Sequence, residues 1–524
     1  MKRLSPVVLA LLLAVSLQNR LQAQVPISGP LSGVLEDTTY LVMDSIYVQI
    51  TDSLVILPGA KLLFGGWFNF RIYGYLSALG TQQDSIYFQP VAVGDSLKSI
   101  IFQGGASDSC AMAYCYISGC TGSAINAYYV AVTISNCTIT GNRASWGGGI
   151  YLSSSNGAIS ECVITNNVCG NNGGGIYCTA SSPTITDCIV SGNLCDTQPT
   201  TSSGMGGGGI CANHGSSPII SGCTISDNHS LWHGGGISIN DNSEVNISHC
   251  LIADNSCDSS GGGIAIFNYC EPTITNCTLS GDSAAFFGGG IYLYYSSPTI
   301  QNTIVEGCGG NGVIYFDLSP TTVVQYNDFY NPLAQTFMGI GPTNLGVIDT
   351  VNANGDSCDT YCNIYFDPLF VNPGAGDYHL QMESPCIDAG DPTWALDPDG
   401  TIADIGAFYY DQIGFVANGN ETPAAFAIVG PYPNPFNAET RIQFQLPVAG
   451  WVTFEIYDIF GRTVRVRHAS PLPSGSGATP TTGVWMEAGV HQITFDGSGL
   501  PSGIYLYRLE AGEFTASGKM VLLK

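Results

Sequence analysis

The sequence predicts an all-β protein whose larger part is a solenoid of stacked short strands. The element Gly-Gly-Gly-Ile recurs at steps of 26, 34, 27, 27 and 27 residues, with its isoleucine at Ile150, Ile176, Ile210, Ile237, Ile264 and Ile291. A fixed period of about 20 to 50 residues is typical of solenoids and arrays. Within each unit, apolar and polar residues alternate, as in PTITDCIVSGN, and a turn at Asn or Gly follows.

Each unit is expected to supply roughly three strands, to close one coil, and to stack on the next coil at about 4.8 Å. The one long step comes from an insertion between Asp196 and Gly206. Stacking brings equivalent residues together, so one cysteine column predicts a buried thiol ladder, with disulfides between neighbouring coils as the alternative: Cys137, Cys162, Cys188, Cys223, Cys250 and Cys277. Turn asparagines are expected to bond from coil to coil: Asn142, Asn166, Asn193, Asn228 and Asn255.

These units resemble those of right-handed parallel β-helix proteins in the broad pectate-lyase-like class. The GGGI element also resembles the GGA-I repeats of chlamydial polymorphic outer-membrane adhesins. Upstream, residues 53–90 resemble the first coils of such helices, and residues 367–392 and 397–412 resemble their closing segment. The resemblance implies a β-helix over residues 24–345 with a closing segment over residues 346–413. It is strong for fold and weak for activity.

The N-terminus predicts export. Lys2 and Arg3 precede the apolar run from Val7 to Leu17, and LQA ends at Ala23, so residues 1–23 have the pattern of a cleaved signal peptide. Removal would leave 11 Lys and Arg against 40 Asp and Glu, a balance of −29. Such a charge disfavours nucleic acid and anionic lipid as partners, and no later run is apolar enough to predict a transmembrane span in the mature form.

A second domain is predicted after a linker over residues 414–430. RIQFQL and WVTFEIYDI alternate as antiparallel strands, and YPNPFN and GLPSG mark turns, which predicts a small Ig-like β-sandwich over residues 431–524. YPNPFN, DIFGRTV, GIYLYRLEAGEF and the terminal KMVLLK resemble, in order, the C-terminal sorting domain of type IX secretion cargo. The alternatives are the similar sandwich of flagellar-hook-capping and protease-associated domains, and a plain stabilising sandwich.

The sorting resemblance implies a partner and a location. The partner is the type IX outer-membrane secretion machinery, and the protein would be secreted or held on the outer cell surface after passing through the periplasm.

The residue types argue against one enzyme class and leave another open. Lyases of this fold use an Arg or Lys base, but the chain has neither between Ala144 and Thr440. Glycoside hydrolysis instead needs two carboxylates, about 5 to 5.5 Å apart for retention. Asp227 and Asp254 occupy equivalent places in adjacent units, so stacking would pair them. A weak Ca²⁺ site or a solvated acidic rim are the alternatives.

The other candidate sites concern ligand, metal and disulfide. Aromatic residues of the repeats predict a polysaccharide or host or cell-surface glycan as ligand, with Trp146, Tyr177, Trp232 and Tyr292 as binding residues, although aromatic residues also favour strands. Asp397, Asp399 and Asp404 are candidate ligands of a structural Ca²⁺ ion, the one cofactor considered. Cys358 and Cys362 are the candidate disulfide, with Cys386 as an alternative partner.

These observations favour a non-catalytic binding, adhesive or structural module over an enzyme. A polysaccharide-degrading glycoside hydrolase using stacked carboxylates is the second hypothesis.

Overall fold

The computed structural model describes residues 24–92, 95–196, 206–319, 321–332, 335–352, 354–412, 426–432, 436, 439–458, 462–464, 484–486, 488–512 and 514–522. The predicted signal peptide and most of the predicted linker lie outside these residues. The chain divides into two compact units. The first comprises Met1–Val371, Tyr378–Asp397 and Ile402–Tyr410, and the second comprises Asn372–Asp377, Pro398–Thr401 and Asp411–Lys524.

The first unit is a parallel β-solenoid, and one 24-stranded sheet covers two of its faces because strand Thr39–Val48 pairs on both. Face A consists of Val25–Pro30, Thr39–Val48, Lys61–Phe64, Ile86–Pro90, Cys115–Ser118, Thr138–Thr140, Val163–Thr165, Ile189–Ser191, Thr224–Ser226, Leu251–Ala253, Thr278–Ser280, Ile304–Glu306 and Asp328–Tyr330. Face B consists of Phe68–Ile72, Leu97–Phe102, Ile125–Tyr128, Ile150–Ser153, Ile176–Thr179, Ile210–Asn213, Ile237–Ile239, Ile264–Phe267, Ile291–Tyr294, Ile314–Asp317 and Phe337–Gly339.

Two further sheets complete the coils. Face C has 12 strands: Gly33–Leu35, Ser53–Ile56, Tyr75–Leu79, Ala111–Ala113, Thr133–Ser135, Ala158–Ser160, Thr184–Thr186, Ile219–Ser221, Asn246–Ser248, Thr273–Thr275, Thr299–Gln301 and Val323–Gln325. Face D has seven shorter ones: Arg143–Ala144, Val168–Cys169, Leu194–Cys195, His229–Ser230, Ser256–Cys257, Ser283–Phe287 and Gly309–Asn311. The chain visits the faces in the order C, A, D, B. The prediction of three strands per coil therefore missed the strand on face D.

The repeat isoleucines stack as predicted. Ile150, Ile176, Ile210, Ile237, Ile264 and Ile291 are successive register partners on face B, and each is fully buried. The three glycines before each isoleucine form a corner where backbones of adjacent coils almost touch. A Cβ on Gly148 would lie 2.4 Å from the carbonyl oxygen of Gly174, so no larger residue fits there.

The corner between faces C and A holds the predicted cysteine ladder. Its six cysteines are buried and unpaired, and Cys115 extends the column by one coil. Where the geometry is closest, the backbone N–H of one rung points at the sulfur of the next, as from Cys115 to Cys137 and from Cys188 to Cys223, both at 3.4 Å. The thiols therefore fill the corner as small apolar groups, and the alternative of disulfides between coils does not occur.

The corner between faces A and D holds an asparagine ladder made of Asn142, Asn167, Asn193, Asn228 and Asn255. Each backbone N–H donates to the side-chain oxygen of the next rung at 3.0 to 3.2 Å. The prediction of Asn166 as a rung was wrong. Asn166 is exposed and has a φ of 55°, whereas its neighbour Asn167 points inward.

A third ladder lies between faces B and C. Ser155 N–H donates to Ser181 at 3.0 Å, Ser181 N–H to Ser216 at 3.1 Å, and Ser216 N–H to Ser243 at 3.2 Å. All four side chains are buried. Three corners of the coil thus use one device, in which the side chain of the next rung accepts a backbone N–H that the turn leaves free.

The closing segment packs on the outer side of face A. Its buried residues Phe370, Tyr378, Leu380, Cys386, Ala389 and Ile405 form one cluster with Leu251, Ala253 and Ile304. Hydrogen bonds fix the contact, because Ala407 N–H donates to Thr278 Oγ1 at 3.0 Å and Gly406 N–H donates to Asn302 O at 2.9 Å. This stretch also contains Ile348–Val351, Ser357–Asp359, Phe370–Asn372, the short 3-10 helix Pro373–Ala375, and Asp377–Leu380.

The second unit contains two antiparallel sheets. One consists of Ala427–Tyr432, Glu439–Leu446 and Gly489–Asp496, and the other of Val484–Met486, Gly450–Asp458, Gly503–Ala511 and Phe514–Leu522. Ile442 and Phe495 of the first sheet share a buried cluster with Ile456 and Tyr507 of the second. The first strand begins before residue 431, inside the predicted linker. Among the described residues of the chain, no helix is long and apolar enough to cross a membrane.

Candidate functional site

The outer side of face B carries two groups of aromatic rings. The residue after each repeat isoleucine points away from the core, and register pairing places these residues in one column along the solenoid: Tyr151, Tyr177, Cys211, Ser238, Ala265, Tyr292 and Tyr315. Three small residues separate the aromatic ones. The column therefore defines a first aromatic group on earlier coils and a second on later coils.

The first aromatic group consists of Tyr128, Trp146, Tyr151 and Tyr177. The rings of Tyr151 and Tyr177 stack at 5.5 Å and 20°, and Trp146 stacks on Tyr177 at 5.6 Å and 22°. Tyr128 meets Tyr151 edge-on at 5.6 Å. Trp146 is 45% exposed and Tyr128 and Tyr151 are half-buried, so the group presents ring surface to solvent.

The second aromatic group is centred on His233. Its ring lies 4.7 Å from that of Phe267 and is parallel to that of Tyr292 at 6.1 Å and 3°. Trp232 contacts the His233 ring edge-on at 4.8 Å. Desolvation by burial lowers the pKa of His233 to about 4, so the imidazole is neutral at physiological pH and adds no charge to the surface.

The second group continues towards the corner between faces B and C. Tyr294 contacts Phe267 at 6.2 Å and meets Tyr295 edge-on at 4.6 Å, and Tyr295 lies 6.2 Å from Tyr269. Tyr269 is 70% exposed and Tyr295 is 40% exposed. The exposed part of this group is therefore made of tyrosines at the corner.

The four predicted ligand-binding residues fall into these two groups but differ in exposure. Trp146 contacts Tyr177 directly, and His233 connects Trp232 to Tyr292. Tyr177 and Tyr292 are buried, and burial raises the pKa of both phenols, that of Tyr177 to about 12. Trp146 and Trp232 can offer a ring face to a ligand, whereas Tyr177 and Tyr292 support them from below.

Sequence reasoning missed His233 and Phe267 as members of the surface. A signal for His233 was present, because it stands directly before a glycine triplet, as Trp146 and Phe287 do. Phe287 lies 4.4 Å from Tyr315, so the residue before the triplet folds over face B in three coils. Phe267 ends a face B strand with no repeated pattern to mark it.

Asp227 and Asp254 stand at equivalent turns of adjacent coils, with φ values of 55° and 56°, and both are exposed. Partial burial, and then the charge of Asp227, raise the pKa of Asp254. The two acids follow face A strands, so a face D strand and a glycine triplet separate them along the coil from face B. The structure brings the two carboxylates together without placing them on the aromatic surface.

The predicted Ca²⁺ ligands act as hydrogen-bond acceptors in turns. Asp404 accepts from the backbone N–H of Asp388 and of Tyr410, and its own N–H donates to Asp397 Oδ2 at 2.8 Å. Burial raises the pKa of Asp404 to about 7. Asp399 accepts from Thr401 N–H and Oγ1. Within the described ranges, no group of three or more His, Cys, Asp or Glu side chains is arranged to hold a metal ion.

The predicted disulfide between Cys358 and Cys362 is not formed. Both are free thiols, as is the alternative partner Cys386. Cys386 belongs to the closing segment and is buried where that segment packs on face A, and its thiol donates to Asp328 Oδ2 at 3.3 Å. The Cys386 thiol is therefore bonded to Asp328 and not to Cys358 or Cys362.

Comparison with known proteins supports the class of the solenoid. Residues 83–197 and 195–341 match a family model described as a right handed beta helix region, and both segments lie in the coils described above. No curated protein and no solved structure matches the chain. The match and the parallel coils together show that this is a β-helix repeat protein.

Proposed function

We propose that this β-helix protein is exported and binds a neutral glycan along the outer side of face B. One observation carries the proposal: two groups of stacked rings lie on one face of the solenoid, with Trp146 and Tyr269 exposed and Trp232 partly exposed. Tyr and Trp side chains combine an apolar ring with a polar O–H or N–H group, so they suit ligands that have both apolar and hydroxylated surfaces. Sites built on strands of a scaffold also hold such rings in fixed positions.

The charge of the chain favours a neutral ligand over an anionic one. No Arg or Lys occurs between Ala144 and Thr440, which includes both aromatic groups apart from Tyr128, while the chain as a whole is strongly acidic. An anionic polysaccharide would meet repulsion, and Arg143, the one Arg or Lys between Lys98 and Arg441, is already paired with Asp196. A neutral chain lying along the solenoid axis would contact the first group and then the second.

Export and display complete the proposal. We take residues 1–23 as the signal peptide and the second unit as an Ig-like, type IX sorting domain that delivers the protein to the outer surface. This rests on the motifs YPNPFN, DIFGRTV and KMVLLK and on the two antiparallel sheets. Removal of residues 427–524 should leave the β-helix in the periplasm, and unchanged surface display would refute the sorting role.

The glycan proposal is tested on an array of neutral and acidic oligosaccharides with the full chain. Trp146→Ala should weaken binding to neutral glycans about tenfold or more, because it removes the most exposed ring of the first group. Trp394→Ala is the matched control, since Trp394 is also 45% exposed but lies in the closing segment. Equal losses for both variants, or binding to acidic glycans alone, would refute the proposal.

A glycoside hydrolase is the second candidate, because Asp254 has a raised pKa beside Asp227, as a general acid requires. Reducing-sugar release from the same oligosaccharides, abolished by Asp254→Asn and by Asp227→Asn, would establish it. Asp258→Asn is the control, because Asp258 is exposed nearby but pairs with His229 at 3.6 Å. Binding without release of reducing sugar leaves the non-catalytic function in place.

A further inference from the structure

One rung of the asparagine ladder is not an amide. Asp282 follows Asn255 in the column, and its Oδ1 accepts hydrogen bonds from the backbone N–H and from Nδ2 of Asn255, both at 2.9 Å. The side-chain oxygens of four asparagine rungs do the same for the asparagine before them: Asn167, Asn193, Asn228 and Asn255. Asp282 is fully buried, and its bonds with Asn255 have the same partners and nearly the same lengths as those between two asparagine rungs.

The second atom of each amide also has a fixed partner. In every asparagine rung, Nδ2 also donates to a backbone carbonyl oxygen on the face A strand of the preceding coil, at 2.8 to 3.4 Å. The acceptors are Ile117 for Asn142, Ile139 for Asn167, Ile164 for Asn193, Val190 for Asn228 and Ile225 for Asn255. The register partner of Ile225 on the next coil is Ile252. The equivalent acceptor for Asp282 is therefore the carbonyl oxygen of Ile252.

In Asp282 an oxygen occupies the place of the amide nitrogen. The last glycine of each triplet lies close to this second side-chain atom. A Cβ placed on Gly175 would be 3.2 Å from Nδ2 of Asn193, and a Cβ placed on Gly236 would be 3.1 Å from Nδ2 of Asn255. At Gly263 the same Cβ would lie 2.6 Å from Oδ2 of Asp282. Oδ2 is buried and has no hydrogen-bond partner as a carboxylate oxygen. Two acceptors would then face each other in a dry corner, which is costly.

We infer that Asp282 is a protonated rung, whose carboxyl group carries a proton on Oδ2 and donates it to the carbonyl oxygen of Ile252. The acid then reproduces both hydrogen bonds of an asparagine. Loss of the proton turns the second bond into a repulsion and breaks the ladder between the coils on either side of Asp282. The rung is a proton-dependent contact inside an otherwise neutral ladder.

The ionisable groups around Asp282 favour the neutral form. They are Asp254, Glu306, Cys257, Cys308 and Tyr378, and none of them carries a positive charge. Burial raises the pKa of Asp282 well above its ordinary value, the hydrogen bonds from Asn255 oppose this, and the charges of Asp254 and Glu306 raise it further. The sequence has no Lys or Arg between Ala144 and Thr440, so neither residue type can stabilise a buried carboxylate on the coils next to Asp282.

The sign of the pH effect follows from the direction of the pKa change. A carboxyl group whose pKa is higher in the folded than in the unfolded protein takes up a proton on folding. Its contribution to stability is complete below the unfolded pKa of about 3.9 and is lost as the pH rises through the folded pKa. The coils after Asp282 should therefore be held more firmly in acid than in alkali.

The test compares Asp282→Asn with the wild-type protein by thermal unfolding from pH 4 to pH 9. The amide can donate at every pH, so the variant should melt several degrees higher at pH 8 to 9 and its midpoint should fall less with pH. Glu306→Gln is the control for a nearby acid outside the ladder, and it should change the slope less. An unchanged slope in Asp282→Asn, or a lower midpoint at every pH, would overturn the proposal.

A second measurement does not depend on stability. Infrared spectra at pH 7 should contain a protonated-carboxyl band that is absent from Asp282→Asn, because the acid is neutral in the folded protein. A difference spectrum with carboxylate bands in its place would contradict the inference. If Asp282→Asn fails to fold, Asn255→Asp supplies the same test one rung earlier, since it should add pH dependence and a second protonated band.

Discussion

The asparagine corner and the cysteine corner solve the same problem with different chemistry. Both stack one residue type over successive coils, and in both the side chain of the next rung faces a backbone N–H. The backbone N–H and Nδ2 of Asn167 both donate to Oδ1 of Asn193, at 3.0 and 3.1 Å. At the cysteine corner, only the backbone N–H of Cys188 points at the sulfur of Cys223, at 3.4 Å. The asparagine corner is thus held by strong polar bonds, and the cysteine corner mainly by filling space.

The largest difference should appear when one rung of the asparagine corner is removed. Asn167→Ala leaves the backbone N–H of Asn142 without an acceptor, and it removes one hydrogen bond each from Asn142 Nδ2, Ile139 O and Asn193 Oδ1. The unpaired N–H costs about 1–3 kcal/mol and each other lost hydrogen bond about 0.5–1.5 kcal/mol, so the free energy of unfolding should fall by ~3 kcal/mol or more. Denaturant unfolding followed by circular dichroism measures the change.

The matched control is the neighbouring residue. Asn166→Gly alters an exposed side chain at a positive φ that glycine adopts easily, so it should change the free energy of unfolding by less than ~0.5 kcal/mol. Similar losses for Asn166→Gly and Asn167→Ala would show that the inward rung has been misassigned.

A rung of the cysteine corner should matter less. Cys223→Ala removes a weak acceptor of Cys188 N–H and leaves a small cavity, so we expect a loss of ~1–2 kcal/mol in the same unfolding experiment. Cys223→Ser keeps an acceptor of similar size and tests the polar share of that loss. The comparison between the corners fails if Cys223→Ala costs as much as Asn167→Ala.

The smallest expected effect is that of a thiol reagent on the folded protein, because nearly all of its cysteines are buried. Of the 19 cysteines, Cys362 is the one that is not buried, and burial raises the pKa of ladder thiols such as Cys250. A thiol reagent should therefore modify one thiol rapidly in the folded protein and all 19 in denaturant. Counting modified thiols by mass spectrometry checks this, and a permanent shortfall in denaturant would indicate disulfides.

The sequence predicted those features that repeat and missed those that depend on one corner or one coil. The isoleucine column and the cysteine ladder follow from the period alone, and the family match and the coils confirm the β-helix repeat. The strands of face D are two residues long in most coils, too short to show alternation. In the pair Asn166 and Asn167 either residue satisfies the spacing, and the turn geometry decides which one points inward.

The candidate surface was predicted in part for a similar reason. Trp146 and Trp232 could be recognised as ring donors, but the burial of Tyr177 and Tyr292 could not be foreseen. Each is covered by a residue that belongs to an earlier coil, namely Trp146 over Tyr177 and His233 over Tyr292. Such contacts between coils depend on how the segment before each glycine triplet folds over face B.

The central claim is that each repeat makes one coil and that equivalent residues stack in register. The most direct test is a distance between spin labels at Ala180 and Leu318, two exposed residues that stand four positions after register-stacked isoleucines, in protein with Cys362→Ala. Five coil steps of about 4.8 Å predict a narrow distribution near ~24 Å between these positions, broadened by the label arms. A broad distribution, or one centred beyond ~40 Å, would contradict stacked coils.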